Sequence, residues 1–182
     1  MGAIGAIARE HLTERAIPFN NEIIEKIEKL TEELIKWNRI VPLISESDMG
    51  SIVSRHVMDS ISGFMSIDHR HYSSIADIGS GNGFPGIIVG LFFPGKRVVL
   101  IENRRMKASF LKQACFKLSL ANTTVYGRSA AKYDFSDTDI ILARAFGSIE
   151  KVREYAGEDF TGTIGIYQKD SIELHVPRGT SR

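Results

Sequence analysis

The sequence predicts an α/β fold with a mostly parallel sheet and flanking helices, preceded by a helical region. Two observations predict it. From residue 75 onward, short apolar runs alternate with helical segments, and this order implies parallel strands joined by right-handed crossovers. The first run ends in a glycine-rich turn at residues 79–86, as a buried strand does when it leads into a helix. We therefore divide the chain into an N-terminal helical region, residues 1–70, and an α/β domain, residues 71–182.

The N-terminal region carries two helical patterns. Residues 21–37 have an apolar stripe at helical spacing, and Asn20 or Asn21 is placed to cap this helix. After Pro42 and a polar run, residues 52–65 carry a second stripe. The first stripe consists of Ile23, Ile27, Leu30, Leu34 and Trp37, and the second of Val53, Val57, Ile61 and Phe64.

Polar residues of the second helix allow two interpretations. Arg55, His56 and Asp59 occupy adjacent positions on it. They form either a local ion pair with a partly buried histidine that holds the helix to the glycine turn, or a catalytic histidine–aspartate pair. We favour the structural interpretation, because no nucleophile of matching character is nearby. The two histidines that follow, His69 and His71, lack the spacing of a metal site.

The α/β domain is predicted to contain five strands and three helices in alternation. The strands are expected at 75–79, 98–102, 123–126, 139–143 and 163–167, and the helices at 85–92, 104–119 and 147–156. The second of these helices has one apolar side made of Met106, Phe110, Leu111, Ala114, Cys115 and Leu118. Residues 171–176 are a further strand candidate. A sheet of this type normally has more strands, so we expect the last ones to be missing or the chain to be cut short.

The glycine-rich turn is the main candidate for a binding site. Gly79, Gly81 and Gly83 permit positive φ and close approach of a ligand, and the helix N-terminus beyond them offers free amides. Gly81-x-Gly83-x-x-Gly86 also fits a loose dinucleotide-binding pattern, and such a turn can equally lack a ligand. Asp77 precedes the glycines, and Glu102 ends the second strand, where doubly wound folds hold an adenosine ribose. Asp77 together with the three alternating glycines favours S-adenosylmethionine over NAD, whereas Glu102 would serve either cofactor.

Composition excludes several classes of protein. The net charge is only +1, so a nucleic-acid surface has to be a local patch. The single cysteine, Cys115, excludes an internal disulfide and a cysteine-rich metal site, and we expect no bound metal. No apolar run has the length of a membrane span, and Arg9 and Glu10 interrupt the apolar start. We expect a soluble cytoplasmic protein, and a monomer.

A local patch of positive charge surrounds the second strand. Residues 96–112 contain six cations and a single acid, Glu102. The cations are Lys96, Arg97, Arg104, Arg105, Lys107 and Lys112. Arg128, Lys132 and Arg144 follow the next strands, and residues just after strand ends gather at the ligand-binding edge of a doubly wound sheet. These cations form an RNA-binding patch or belong to a scattered solvated surface.

Several stretches together resemble one family, the small-subunit rRNA guanine-N7 methyltransferases, also called glucose-inhibited division protein B. The specific combination is Arg55-His56-x-x-Asp59-Ser60-Ile61 followed by a glycine turn that ends in Phe84-Pro85-Gly86. The other matching pieces occur in family order and are Lys36-Trp37-Asn38, Phe110-Leu111, Leu118-x-Leu120-x-Asn122 and Arg144-Ala145-Phe146.

The resemblance implies a Rossmann-like fold, binding of S-adenosylmethionine, and methyl transfer to N7 of a guanosine in 16S rRNA, either naked or in the 30S subunit. It implies that Glu102 holds the ribose and that Arg144 lies by the cofactor and the incoming base. The expected cofactor-binding residues are Asp77, Gly79, Gly81, Gly83, Phe84, Glu102, Ser129, Ala130 and Arg144. The expected RNA-binding residues are Arg55, His56, Arg104, Arg105, Lys107, Arg128 and Lys169.

The sequence departs from the family pattern in four places. Arg128 is followed by Ser129-Ala130 where the family usually has Arg-x-Glu, so the acidic group near the adenine is absent. Pro42-Leu43-Ile44 stands where the family has Asn-Leu-Thr, and Lys169 precedes Asp170 where the family tends to have glycine. The C-terminal part is shorter than usual.

The chemistry that the resemblance implies fits the residues present. The N7 lone pair of guanine attacks without losing a proton, so the protein needs no general base, metal or nucleophile and supplies proximity and orientation. We therefore assign no catalytic side chain, and assign Arg144 to positioning a phosphate, a base or the cofactor carboxylate. Phe84 or Phe146 stacks on an unpaired base or lies in the core. Two alternatives stay open: an NAD-binding oxidoreductase, and a non-catalytic RNA-binding module that retains the fold.

Overall fold

The computed structural model describes residues 2–176. Its six strands are β1 Ser74–Ile78, β2 Arg97–Ile101, β3 Thr123–Tyr126, β4 Ile140–Ala143, β5 Thr163–Gln168 and β6 Ser171–His175. They form one sheet in the order β3-β2-β1-β4-β5-β6. Strands β1 to β5 pair in parallel, and β6 pairs antiparallel with β5. The mostly parallel sheet and its five predicted strands are confirmed, and the further candidate forms the edge strand β6.

Helices cover both faces of this sheet. Those of the N-terminal region are α1 Ala3–Glu14, α2 Asn21–Asn38 and α3 Met58–Met65, the last preceded by a π-helical segment at Ile52–Val57. Those of the α/β part are α4 Gly86–Phe92, α5 Arg105–Lys117 and α6 Ile149–Ala156. In the described residues, none of the helices has the length and apolarity needed to cross a membrane.

The central strands β1, β2 and β4 are buried on both faces, because alternate residues point into two apolar cores. Every residue of β1 and of β4 is buried. One core contains Ile75, Leu100 and Leu142 together with side chains of α1 to α5, and the second contains Ala76, Ile141 and Val152 of α6. Burial on both faces is typical of parallel strands, and it explains their continuous apolar runs.

Helix α2 packs on α4 and α5 through the predicted apolar stripe. Ile27, Leu30 and Leu34 of α2 are fully buried, and Trp37 meets Phe110 of α5 edge to face with ring centroids 6.0 Å apart. The cap is Asn20, whose side chain accepts a hydrogen bond from the backbone N–H of Ile23 at 2.9 Å. The predicted helix and one of its two candidate caps are therefore confirmed.

Two local predictions differ from the structure. Helix α1 has no counterpart among the predicted elements, and its buried face consists of Gly5, Ala8 and Leu12. Two of these residues are small, so the apolar stripe is weak. The predicted apolar side of α5 includes Met106, but 45% of this residue is exposed, because it lies to one side of the buried stripe that runs through Ala108, Leu111 and Cys115. The division at residue 70 stays a prediction.

Candidate binding site at the carboxyl edge of the sheet

The glycine turn connects β1 to α4 in a chain of tight backbone contacts. The amides of Gly79 and Ser80 donate to the carbonyl of Ile101 at 2.9 and 3.1 Å, which ties the turn to the end of β2. Gly79, Gly81 and Gly83 all have positive φ, at +71°, +50° and +88°. Residues with a side chain rarely adopt this backbone conformation, so glycine is favoured at these three positions.

These glycines meet different surroundings. A Cβ atom at Gly79 would overlap the ring of Phe146, and one at Gly83 would overlap Ile87. At Gly81 the nearest atoms would be the Gly79 carbonyl oxygen at 3.6 Å and Glu102 Oε2 at 3.9 Å, which are ordinary contact distances. Gly79 and Gly83 are therefore required by packing, whereas Gly81 borders open space.

Asp77 lies beneath this turn and supports it. Its side chain is buried, and Oδ2 accepts a hydrogen bond from the amide of Gly86, at the start of α4, at 3.1 Å. Burial raises the pKa of the Asp77 carboxyl to about 7, and the Gly86 hydrogen bond opposes that rise. The structure thus gives Asp77 the role of joining β1 to α4, and its predicted contact with the cofactor stays a prediction.

Glu102 links the end of β2 to the glycine turn. Its Oε2 accepts from the amide of Gly81 at 3.0 Å, and its Oε1 accepts from the amide of Arg104 at 2.8 Å. Each carboxylate oxygen can accept more than one hydrogen bond, so capacity remains for two hydroxyl groups. The carboxylate is buried and held in a fixed orientation at the place where the sequence predicts a ribose partner.

A cavity of about 410 Å³ lies above these residues, which is a volume suited to a small-molecule ligand. Glu102 is the only acid in its lining, whereas Arg104, Lys107, Arg128 and Lys151 are cationic. The lining residues are Gly79, Gly81, Ile101, Glu102, Asn103, Arg104, Lys107, Arg128, Ser129, Ala130, Ala145, Phe146, Lys151 and Tyr155. Eight of the expected cofactor- and RNA-binding residues are therefore brought together with Phe146, the candidate for base stacking: Gly79, Gly81, Glu102, Ser129, Ala130, Arg104, Lys107 and Arg128.

Arg144 does not line this cavity. Its Nη2 lies 3.2 Å from Oδ2 of Asp59 on α3, and its Nη1 lies 3.4 Å from the hydroxyl of Ser60. Both charged side chains are about one-fifth exposed. The structure thus contains the ion pair that competes with a positioning role, and that role stays a prediction.

The motif around His56 supports the glycine turn from the other side. The His56 ring stacks on Phe84, with centroids 5.4 Å apart and planes 17° from parallel. Burial lowers the pKa of His56, and the neighbouring charge of Arg144 lowers it further. Arg55 pairs with Asp48 at 2.6 Å. The stacking confirms that His56 holds its helix to the glycine turn, but the expected local ion pair is not formed, because Arg55 pairs with Asp48 and Asp59 with Arg144. Phe84 lies in the core.

The predicted positive patch divides between two edges of the sheet. Lys96 and Arg97 lie at the amino end of β2, where they donate to backbone carbonyls of Tyr72 and Asp137. Arg105 is exposed on α5, and Lys169 lies in the turn between β5 and β6, outside the cavity lining. The RNA contacts of Arg55, His56, Arg104, Arg105, Lys107, Arg128 and Lys169 stay predictions.

One side of the cavity is formed by α6, and the sequence did not predict it. Lys151 and Tyr155 line the cavity, and Lys151 Nζ lies 5.8 Å from the ring centroid of Phe146. No local motif marks these residues, and the available signal was their position after a strand of a parallel sheet. Within residues 2–176 no group of three or more histidine, cysteine, aspartate or glutamate side chains could hold a metal ion.

Comparison with known proteins gives consistent matches in sequence. A family model described as rRNA small subunit methyltransferase G (GidB) matches residues 23–175. The Ribosomal RNA small subunit methyltransferase G of Pseudomonas putida (strain GB-1) is 39% identical over 146 residues, which cover 76% of this chain and 67% of the relative. The protein of the same name from Halorhodospira halophila (strain DSM 244 / SL1) is 30% identical and covers 90% of this chain and 73% of the relative.

Solved structures share the fold at low identity. MtNAS in complex with MTA and tNA has a TM-score of 0.56 at 15% identity, covering 76% of this chain and 54% of that chain. Coclaurine N-methyltransferase bound to N-methylheliamine and SAH has a TM-score of 0.51 at 16% identity, covering 90% of this chain and 58% of that chain. The chain thus spans little more than half of these two proteins, and the likeness confirms the Rossmann-like fold.

Proposed function

Because this chain belongs to the rRNA small subunit methyltransferase G family, we propose that it transfers a methyl group from S-adenosylmethionine to N7 of a guanosine in 16S rRNA. The observation that carries the proposal is the cavity beside Gly81 and Glu102. It combines a backbone position without a side chain and a buried carboxylate at the end of β2. The proposed substrate is 16S rRNA or the 30S subunit, the proposed location is the cytoplasm, and the proposed state is a monomer.

The residues of the cavity fit S-adenosylmethionine. Glu102 has free acceptor capacity for the two ribose hydroxyls, and its orientation is fixed by the amides of Gly81 and Arg104. Gly81 leaves space beside this carboxylate. Ser129 and Ala130 line the same cavity at the end of β3 and are proposed to border the adenine. An acidic side chain is absent from these two positions, so Glu102 is the single carboxylate of the lining.

The proposed chemistry asks little of the protein beyond orientation. When bound, S-adenosylmethionine supplies an activated methyl group on a positively charged sulfur. The guanine N7 lone pair forms the new N–C bond while the C–S bond breaks and its electron pair passes to sulfur, so no proton needs to be transferred. The residues of the carboxyl edge hold the two reactants in line, and proximity of this kind is a large source of rate enhancement. The cations Arg104, Lys107, Arg128 and Lys151 are proposed to attract the RNA phosphates.

Two measurements test the proposal. Calorimetry with S-adenosylmethionine and with NAD compares the two nucleotide ligands that fit a glycine turn, and we expect binding of the first alone. Methyl transfer to 30S subunits that lack the modification, followed by mapping of N7-methylguanine in 16S rRNA, tests the reaction. Binding of NAD alone would favour the oxidoreductase alternative. Cofactor binding without transfer to 30S subunits or naked 16S rRNA would favour the non-catalytic alternative.

A further inference from the structure

The outer face of α5 carries an exposed aromatic ring. Phe116 is 83% exposed, and the next most exposed large apolar residue in the described part of the chain is Ile40 at 63%. Phenylalanine is usually buried, because its ring gains more than most side chains on leaving water. Single exposed apolar residues are common, however, so the surroundings of the ring decide whether it has a function.

These surroundings are strongly positive. Residues 103–121 contain five cations and no acid: Arg104, Arg105, Lys107, Lys112 and Lys117. The whole chain has a net charge of +1, so this segment contributes +5 and the remainder contributes −4. Glu33 of α2 pairs with Lys117, which leaves four cations for other partners. The positive charge is therefore concentrated on one element and its approach, and a polyanion would be attracted there.

Two exposed cations of α5, Arg105 and Lys112, lie on the same side as the ring. Arg105, Ser109, Lys112 and Phe116 follow one another at spacings of four, three and four residues, and all four are exposed. At a rise of about 1.5 Å per residue, Phe116 lies roughly 16 Å along the helix from Arg105. Arg105 directly follows Arg104, which lines the cavity. The four residues thus form a strip, the α5 strip, that leads from the cavity rim to an aromatic ring.

We propose that the α5 strip binds a single-stranded segment of the RNA that flanks the target guanosine. This inference rests on the proposed function and deepens it. Arg105 and Lys112 contact phosphates, and Phe116 stacks on an unpaired base. Positive charge along the backbone path combined with an aromatic face is the general arrangement for binding single strands. The surplus of positive charge favours RNA over an apolar protein partner, which would gain nothing from it.

Substitutions of the ring separate stacking from general apolar contact. We expect Phe116→Leu and Phe116→Ala to raise the KM for unmodified 30S subunits by about tenfold, and Phe116→Trp to keep it near the wild-type value, because a flat ring is what stacks. All three should bind S-adenosylmethionine with unchanged affinity. Ile40→Ala is the matched control, since it removes an exposed apolar side chain outside α5 and should leave the KM unchanged.

The salt dependence of binding tests the cations. With a single-stranded oligoribonucleotide of mixed sequence, Lys112→Ala should reduce the slope of log K against log salt by about 0.7. The charge-matched control is Arg153→Ala on α6, which should leave the slope unchanged.

The remaining outcomes distinguish this inference from the proposed function. A wild-type KM in an active Phe116→Leu variant would overturn the α5 strip. A rise in KM on 30S subunits without any loss on naked 16S rRNA or the oligoribonucleotide would overturn it in favour of a ribosomal protein contact. A wild-type protein that transfers no methyl group but binds the oligoribonucleotide through Phe116 would refute the proposed function and leave the strip intact.

Discussion

Gly81 is the single residue that tests the cavity most directly. A Cβ atom there would meet only ordinary contacts, so Gly81→Ala places a methyl group in the cavity without displacing protein atoms. The positive φ of +50° costs the variant roughly 1–2 kcal/mol of stability. We expect the folded variant to bind S-adenosylmethionine at least about tenfold more weakly, a difference of about 1.4 kcal/mol, measured by calorimetry.

The control for Gly81→Ala is Gly157→Ala. Gly157 also has positive φ, at +85°, and a Cβ there would meet nothing within 4 Å, but it lies beyond α6 and outside the cavity lining. Both variants should lose stability, whereas cofactor affinity should fall only at Gly81. Equal affinity of Gly81→Ala and the wild type would remove the cofactor from this position.

Glu102 combines a structural and a binding role. Its carboxylate already accepts two backbone amides, and two ribose hydroxyls would complete its hydrogen bonds. Hydrogen bonds to charged groups contribute about 1.5–3 kcal/mol, so Glu102→Ala should weaken cofactor binding by about ten- to a hundredfold. Glu102→Gln keeps one acceptor oxygen, so its cofactor affinity should lie between those of the wild type and Glu102→Ala. A change below about twofold by calorimetry would point to a different ribose partner.

At the scale of secondary-structure elements, Arg144 connects the end of β4 to α3. We expect Arg144→Ala to reduce methyl transfer steeply while the melting temperature stays within a few degrees. Lys at this position should restore little activity, because the planar fork of the guanidinium is lost. The pair with Asp59 gives the competing account, in which activity falls only because the two elements lose their connection.

Asp59→Asn is the matched variant, since it breaks the same ion pair and keeps Arg144. If Arg144 positions substrate or cofactor, Arg144→Ala should lose more activity than Asp59→Asn at equal stability. Equal losses of activity and equal shifts of melting temperature in the two variants would leave the arginine with a purely structural role. Measuring both quantities on each variant decides between these accounts.

The elements differ in how well the sequence predicts them. The buried strands are predicted within a few residues, because parallel strands covered on both faces have continuous apolar runs bounded by turn residues. Helix α1 was missed because small residues make up much of its buried face. In the site, Gly81 and Glu102 were predictable from the turn and the strand end. Lys151 and Tyr155 were not, because the approach of α6 to the cavity is set by tertiary packing.

At the scale of the whole molecule, the N-terminal helices and the sheet share an apolar core. Leu34 of α2 and Ile75 of β1 belong to the same buried cluster, which also contains Phe110 of α5. Helix α2 packs on α4 and α5, and α4 packs on β2, so loss of the N-terminal helices would expose apolar side chains of α4 and α5. The proposed boundary at residue 70 therefore does not imply that the two regions unfold independently.

Leu34→Ala tests this shared core. Leu34 is fully buried, and removing such a side chain typically costs about 2–5 kcal/mol, which should lower the melting temperature by roughly 10 °C. Trp37, the single tryptophan, reports on α2, whereas circular dichroism reports on all elements. We expect tryptophan fluorescence and circular dichroism to change together in both the variant and the wild type. Leu174→Ala on β6 is the control. Leu174 is 38% exposed, so its replacement should change the melting temperature little. A fluorescence transition at lower temperature than the dichroism transition would show that the N-terminal region unfolds separately.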